Sequence, residues 1–163
     1  MATSRTITLR VLRNSVAPEV LASYDKQRSV VLVEGALLWL TINVYHEARG
    51  EDALSQRAVA HVTLNRAKKH GYDVEKVVKE PYQFSWTLDK KKLHSKPWKT
   101  DPDVFLRCSL NSMKAMRSED ITKGATHFHE RSMRPYPGWT KNMKVTLRYG
   151  AFVFYKDLEG VYR

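Results

Sequence analysis

A chain of 163 residues with 42% hydrophobic content is long enough to fill one good core and short for two, so a single domain is expected. Its formal charge of +11, from 28 Lys and Arg against 17 Asp and Glu, favours polyanionic partners without choosing among them. Cys108 is the only cysteine, which excludes an intramolecular disulfide and leaves the fold to stand on packing.

Residues 1–30 carry Val11, Leu12, Val16, Val20 and Leu21 in a pattern that suggests a packing helix broken near Pro18. The start, Met1 to Arg5, lacks the continuous apolar core of a secretory signal. The run Val30 to Tyr45 is apolar but contains Glu34, Gly35, Thr41 and Asn43 and is shorter than the roughly 20 residues a membrane span requires, so a core helix is expected. At about 100° per residue, Val33, Leu37, Leu40 and Val44 form one stripe of it, and Glu47 falls within roughly 40° of that stripe. A carboxyl at the edge of a core resists ionisation, which is how a carboxylic acid stays able to donate a proton near neutral pH. Glu47 is therefore a candidate general acid. Against this, a Glu beside an Arg at a helix end also fits a surface ion pair.

A second helix is predicted from Asp52 to about Lys69, with Leu54, Ala58 and Val62 on one face and Gly71 as its cap. A short element, Asp73 to Lys79, is stopped by Pro81, and Gln83-Phe84-Ser85-Trp86 follows. A helix from Pro102 to Arg117 should bury Cys108 among Val104, Phe105, Leu110 and Met113 as an inert thiol. The alternation of His127, Phe128 and His129 suits a strand that sends both imidazoles to one face.

Five pieces occur in order: E-A-R-G-E at Glu47 to Glu51, Q-x-A-V-A-x-V-x-x-N-R at Gln56 to Arg66, Q-F-S at Gln83 to Ser85, G-A-T-H-F-H at Gly124 to His129, and then Pro137 and Trp139. Together they resemble the SleB-type cell-wall hydrolases, the spore-cortex lytic enzymes and their phage relatives, over about Leu37 to Tyr155. Two departures are Ser55, where the family usually has Gly and which suggests a different turn, and the basic insert Lys90 to Lys96.

The resemblance implies a mainly helical, lysozyme-like α+β domain over residues 31–163, with residues 1–30 as a helical extension and a small antiparallel sheet as one wall of a groove. It implies cleavage of peptidoglycan glycan strands between N-acetylmuramic acid and N-acetylglucosamine, by a lytic transglycosylase reaction in which Glu47 alone serves as acid and then base. Gln83, Ser85, His127, His129, Trp139 and Tyr155 would meet the substrate, with no metal and no cofactor. Asn65 would tie loops to its helix, Arg66 would hold a carboxylate, and Phe152 and Phe154 would join the core. A hydrolytic mechanism would need a second carboxylate. Glu51, Asp52, Asp89 and Glu130 are all open candidates. The expected partners are peptidoglycan and the anionic bacterial envelope. The expected setting is a monomeric phage endolysin, made in the host cytoplasm and released to the wall.

Two other classes compete. Lys90 to Lys92, Lys96 and Lys99 surround Trp86 and Trp98, and basic residues interleaved with aromatics can hold phosphates while stacking bases. No helix-turn-helix, zinc-finger or RNA-recognition signature accompanies them. A metallohydrolase could use His127 and His129 with Glu130, Glu47 or His46, but a third ligand is not identifiable and the H-E-x-x-H motif is absent.

Overall fold

Two helices meeting at an acidic corner organise the domain. The computed structural model describes residues 34–158. The chain divides into a unit of residues 1–35 and a unit of residues 36–163, and the expected helical extension of residues 1–30 lies outside the described residues. Helix α1 (34–48) buries Leu40 and Val44 completely, as the stripe predicted, together with the polar Thr41 and Asn43. Helix α2 (Ala53–His70) begins where the Asp52 carboxylate accepts the Ser55 N–H at 2.8 Å. It ends at Gly71, whose φ of 65° is open to glycine without strain. Ala58, Val59 and Val62 of α2 are fully buried.

Asp73 caps the short helix α3 (Val74–Lys79) in the same way. A 3-10 turn (Ser85–Leu88) then leads into α4 (Lys90–Leu93), α5 (Pro97–Thr100) and α6 (Pro102–Arg117), the last with the predicted bounds. Helix α6 packs along α2 and buries Cys108, whose thiol is pushed up to about 11 by burial. Among the described residues no helix is long and apolar enough to cross a membrane.

Strands β1 (His127–Glu130), β2 (Met143–Tyr149) and β3 (Phe152–Asp157) form an antiparallel sheet in the order β1-β3-β2. The register sets His127 opposite Tyr155 and His129 opposite Val153, and Phe152 and Phe154 enter the core. The arrangement is the mainly helical α+β fold that the sequence predicts.

Ser55 stands in the first turn of α2. Its backbone joins an ordinary helix cap, and its buried side chain packs against Gly150, where a Cβ would overlap Ser55 Oγ. Gly150, at φ +53°, lies between β2 and β3.

Candidate active site

Glu47 sits in the last turn of α1, at the rim of a cleft of about 290 Å³. The helical side of the lining supplies Glu47 and Arg66, the loop after α3 supplies Gln83 and Ser85, and the sheet side supplies His129, Glu130 and Trp139. Phe84, Phe128 and Phe152 make the cleft partly apolar. Burial raises the Glu47 carboxyl from 4.5 to about 7, even though the charges of Arg66 and Lys92 favour its ionised form. The negative charge of Glu130 adds a smaller push in the same upward direction. Glu47 is therefore a half-buried acid that holds its proton up to neutral pH.

Arg66 is buried, and that burial pulls it down to about 10. It was expected to hold a carboxylate, and it instead donates from Nε to the Thr126 carbonyl at 2.5 Å and from Nη1 to the Gln83 carbonyl at 3.1 Å. Its guanidinium carbon lies 4.6 Å from the centroid of the Phe84 ring. Buried guanidinium donors need acceptors, and the two loop carbonyls lie within reach of them. The charge still favours ionised Glu47.

Gln83 and Ser85 are exposed on either side of buried Phe84, the predicted alternation, although Ser85 opens a 3-10 turn instead of continuing an extended run. His127 and His129 share a strand face, with ring centroids 5.1 and 6.0 Å from that of Trp139. Only His129 and Trp139 line the cleft; His127 and Tyr155 stand outside the lining. His127 Nδ1 pairs with Thr126 Oγ1 at 3.0 Å, and burial, aided by Arg66, pushes it down to about 4, so it is neutral. His129 Nδ1 lies 2.7 Å from the Glu130 carbonyl and Nε2 lies 2.8 Å from the Tyr155 hydroxyl. A carbonyl only accepts, so Nδ1 carries a hydrogen, which in the neutral tautomer leaves Nε2 to accept from Tyr155. With both nitrogens engaged, His129 shapes the wall.

Of the four carboxylates open as a second acid or base, only Glu130 lines the cleft. Asp52 and Asp89 are occupied as caps of α2 and α4. Among the described residues no group of three His, Cys, Asp or Glu is placed to hold a metal ion. Trp86 is buried, with Nε1 donating to Asn43 Oδ1 at 2.8 Å, so it offers no face to a base and the nucleic-acid reading loses one of its two stacking rings.

The model of the family described as Cell Wall Hydrolase matches residues 50–155, about two thirds of the chain. This chain belongs to the SleB-type cell wall hydrolase family. The catalytic domain of the Bacillus cereus SleB protein superposes with a TM-score of 0.60 at 26% identity, covering 75% of this chain and 91% of that one. The catalytic domain of the germination-specific lytic transglycosylase SleB from Bacillus anthracis gives 0.56 at 24%, covering 74% and 93%. The fold is thus lysozyme-like. No curated protein matches the sequence.

In this cell wall hydrolase the end of α1 is held by a residue that sequence reasoning placed in a motif without a task. Gln56 Nε2 faces the carbonyls of Ala48 at 3.1 Å, Glu51 at 3.2 Å and Arg49 at 3.5 Å and shares its two hydrogens among them; the Ala48 carbonyl also accepts the Glu51 N–H at 3.0 Å. Gln56 Oε1 accepts from Asn111 Nδ2 at 2.8 Å, so one buried amide ties the acid's helix to α2 and α6. Gln56 lies off the Leu54, Ala58 and Val62 stripe, so helical periodicity gave no signal for it. Asn65 ties loops as expected, donating to the Ala125 carbonyl and to Asp120, both at 2.9 Å.

Proposed function

We propose that this cell wall hydrolase cleaves peptidoglycan glycan strands between N-acetylmuramic acid and N-acetylglucosamine as a lytic transglycosylase, with Glu47 as its acid and base. The observation that carries the reading is a cleft-edge carboxyl that burial holds near 7. Protonated Glu47 gives its proton to the glycosidic oxygen as the bond from muramic C1 breaks. The resulting carboxylate takes the proton of the same sugar's 6-hydroxyl, whose oxygen bonds to C1 and closes an anhydro ring without water. Arg66 favours the ionised state reached between the two transfers. Gln83 and Ser85, exposed on the loop side, offer polar contacts to the sugars, and Trp139 offers a ring edge or face. The description of the Bacillus anthracis relative as a lytic transglycosylase motivates the choice over hydrolysis.

Glu130 supports a second reading, because a carboxylate in the same cleft is what a water-activating muramidase requires. Mass spectrometry of digested peptidoglycan separates the two. Anhydromuramic ends, lighter by one water than reducing ends, are the expected product. Reducing ends that vanish in Glu130→Gln would favour the hydrolase, and activity that disappears with a chelator and returns with zinc would favour the metal reading. Release of no glycan fragments would overturn both glycosidase readings. For its setting we propose the phage endolysin, on the ground that a +11 chain suits an anionic envelope. Expressed inside a host cell, it should lyse that cell only when the inner membrane is permeabilised.

A further inference from the structure

The basic segment after the 3-10 turn has no part in that chemistry, yet it is built against the acid's helix. A second cavity, of about 240 Å³, opens beside the end of α1 and is lined by Tyr45, His46, Arg49, Lys91, Lys92 and Ser95. Arg49, Lys91 and Lys92 are exposed, and among the described residues none of them is paired with a carboxylate. The acids nearby are otherwise engaged. Asp89 accepts the backbone N–H groups of Lys91 and Lys92 at 2.9 and 3.3 Å, and Asp101 accepts the Tyr45 hydroxyl at 3.3 Å.

The walls of this cavity are set and not loose. His46 stacks on buried Trp86 with centroids 4.4 Å apart and planes 20° apart, and its Nε2 lies 3.4 Å from Ser95 Oγ. Burial and the charges of Arg49 and Lys92 push His46 down to about 4, so at neutral pH it adds a hydrogen-bonding group and no charge. The Arg49 guanidinium lies 5.0 Å from the Tyr45 ring centroid. Lys92 is also close enough to act on the Glu47 carboxyl, so this cationic cavity and the cleft adjoin at the same helix end.

We propose that the cavity binds the carboxylates of the peptide carried by muramic acid, and that the enzyme thereby selects peptide-bearing glycan over bare glycan. The inference rests on the proposed cleavage beside muramic acid. The peptide springs from the 3-position of the sugar whose C1 reacts, so it leaves the strand within one sugar's width of Glu47. Each extended residue spans about 3.3 to 3.6 Å, so two or three residues carry an acidic group about 10 Å from the scissile bond. A free carboxylate arriving there meets three cations and the Tyr45, His46 and Ser95 side chains. The Lys-rich insert that departs from the family pattern is what supplies two of these charges.

The test compares two soluble substrates, peptide-bearing strands and the same strands stripped by an N-acetylmuramyl-alanine amidase, through the ratio of their kcat/KM. An exposed ion pair is worth a factor of about 1.4 to 5, so two or three should give the wild type a preference of about twofold to a hundredfold for peptide-bearing strands. The double variant Lys91→Glu with Lys92→Glu should bring that ratio close to one, and using the ratio cancels any change Lys92 makes in the titration of Glu47. Lys114→Glu, an exposed change on α6, should leave the ratio unaltered. Equal cutting of both substrates by the wild type, a preference kept by the double variant, or the same fall with Lys114→Glu would each overturn the inference and leave the glycosidase reading standing. Failure of the wild type to cut either substrate would instead sink the glycosidase reading, and the inference with it.

Discussion

The helical and sheet walls of the cleft are held by different forces. On the helical side, buried amides fix the acid: Gln56 on the carbonyls of the α1 end, Asn111 on Gln56, and Asn43 between Thr63 Oγ1 at 3.0 Å and the Trp86 indole. On the sheet side, rings lean on rings. His129 lies 4.7 Å from Tyr136 and 5.4 Å from Tyr155, and Trp139 meets Tyr155 edge-on at 5.3 Å, with the Tyr155 hydroxyl bond to His129 as a polar tie. Hydrogen bonds in a low-dielectric interior fix distance and angle, whereas ring contacts tolerate sliding. A proton donor must stay within hydrogen-bonding reach of one oxygen, and a surface that receives sugars with varied substituents need not be so strict.

The largest break in this contrast should come from Glu47→Gln. The amide keeps the shape and cannot give a proton, so lytic activity should fall by about 10² to 10⁴-fold while the protein folds normally. Turbidity clearance of more than roughly a tenth of wild type would remove Glu47 from the role. Wild-type activity should also decline as pH rises through about 7, where the carboxyl loses its proton.

Removing the clamp of the same wall comes next. Gln56→Ala leaves the Arg49 and Glu51 carbonyls and the buried Asn111 amide without this partner and opens a cavity, which should lower stability by about 2–4 kcal/mol. Denaturant unfolding reads this directly. A loss below about 0.5 kcal/mol would mean water replaces the amide and the wall is less strict than described.

Glu47→Gln sharpens the comparison a second time, through stability. Unfolded Glu ionises near its ordinary 4.5, while the native carboxyl keeps its proton to about 7. Between those values the native state binds more protons, so wild-type stability falls as pH rises across that window. The Gln variant escapes the loss and should be more stable than wild type by about 2–3 kcal/mol at pH 8, with no such advantage at pH 4. Equal differences at both pH values would contradict a burial-raised acid.

The smallest effect is expected on the sheet side. Tyr155→Phe deletes the hydroxyl that donates to His129 and should cost about 1 kcal/mol in stability, with activity reduced only a few-fold. A loss comparable to that of Glu47→Gln would show that the ring wall is as strict as the helical one.

What the sequence made legible was whatever local chemistry decides. The stripe of Leu40 and Val44 carried Glu47 to the core edge, Asp52 and Gly71 marked the ends of α2, and the i, i+2 spacing put His127 and His129 on one face. What it hid depends on pairings across long stretches of chain. The pairing of the Tyr155 hydroxyl with His129 Nε2 joins residues 26 apart and follows from the β1–β3 pairing. Trp86 looked like a surface aromatic in a basic loop until Asn43 took its N–H. Glu130 became distinct from Glu51, Asp52 and Asp89 only once the sheet edge faced the cleft. Arg66 kept its electrostatic partner and changed its hydrogen-bonding ones.

Ser55 and Gly150 have a consequence for how this chain can vary. Ser55 Oγ is buried, and it fills the space that a side chain at 150 would need. The left-handed backbone at Gly150 adds its own barrier to any branched or bulky replacement. Substitutions at the two positions therefore have a preferred order: Ser55→Gly opens the room first, and only then does a change at 150, to a residue such as Asn that accepts positive φ, become tolerable. A library that varies the hairpin tip while keeping Ser55 should return glycine at 150, and one built on Ser55→Gly should admit Asn beside it.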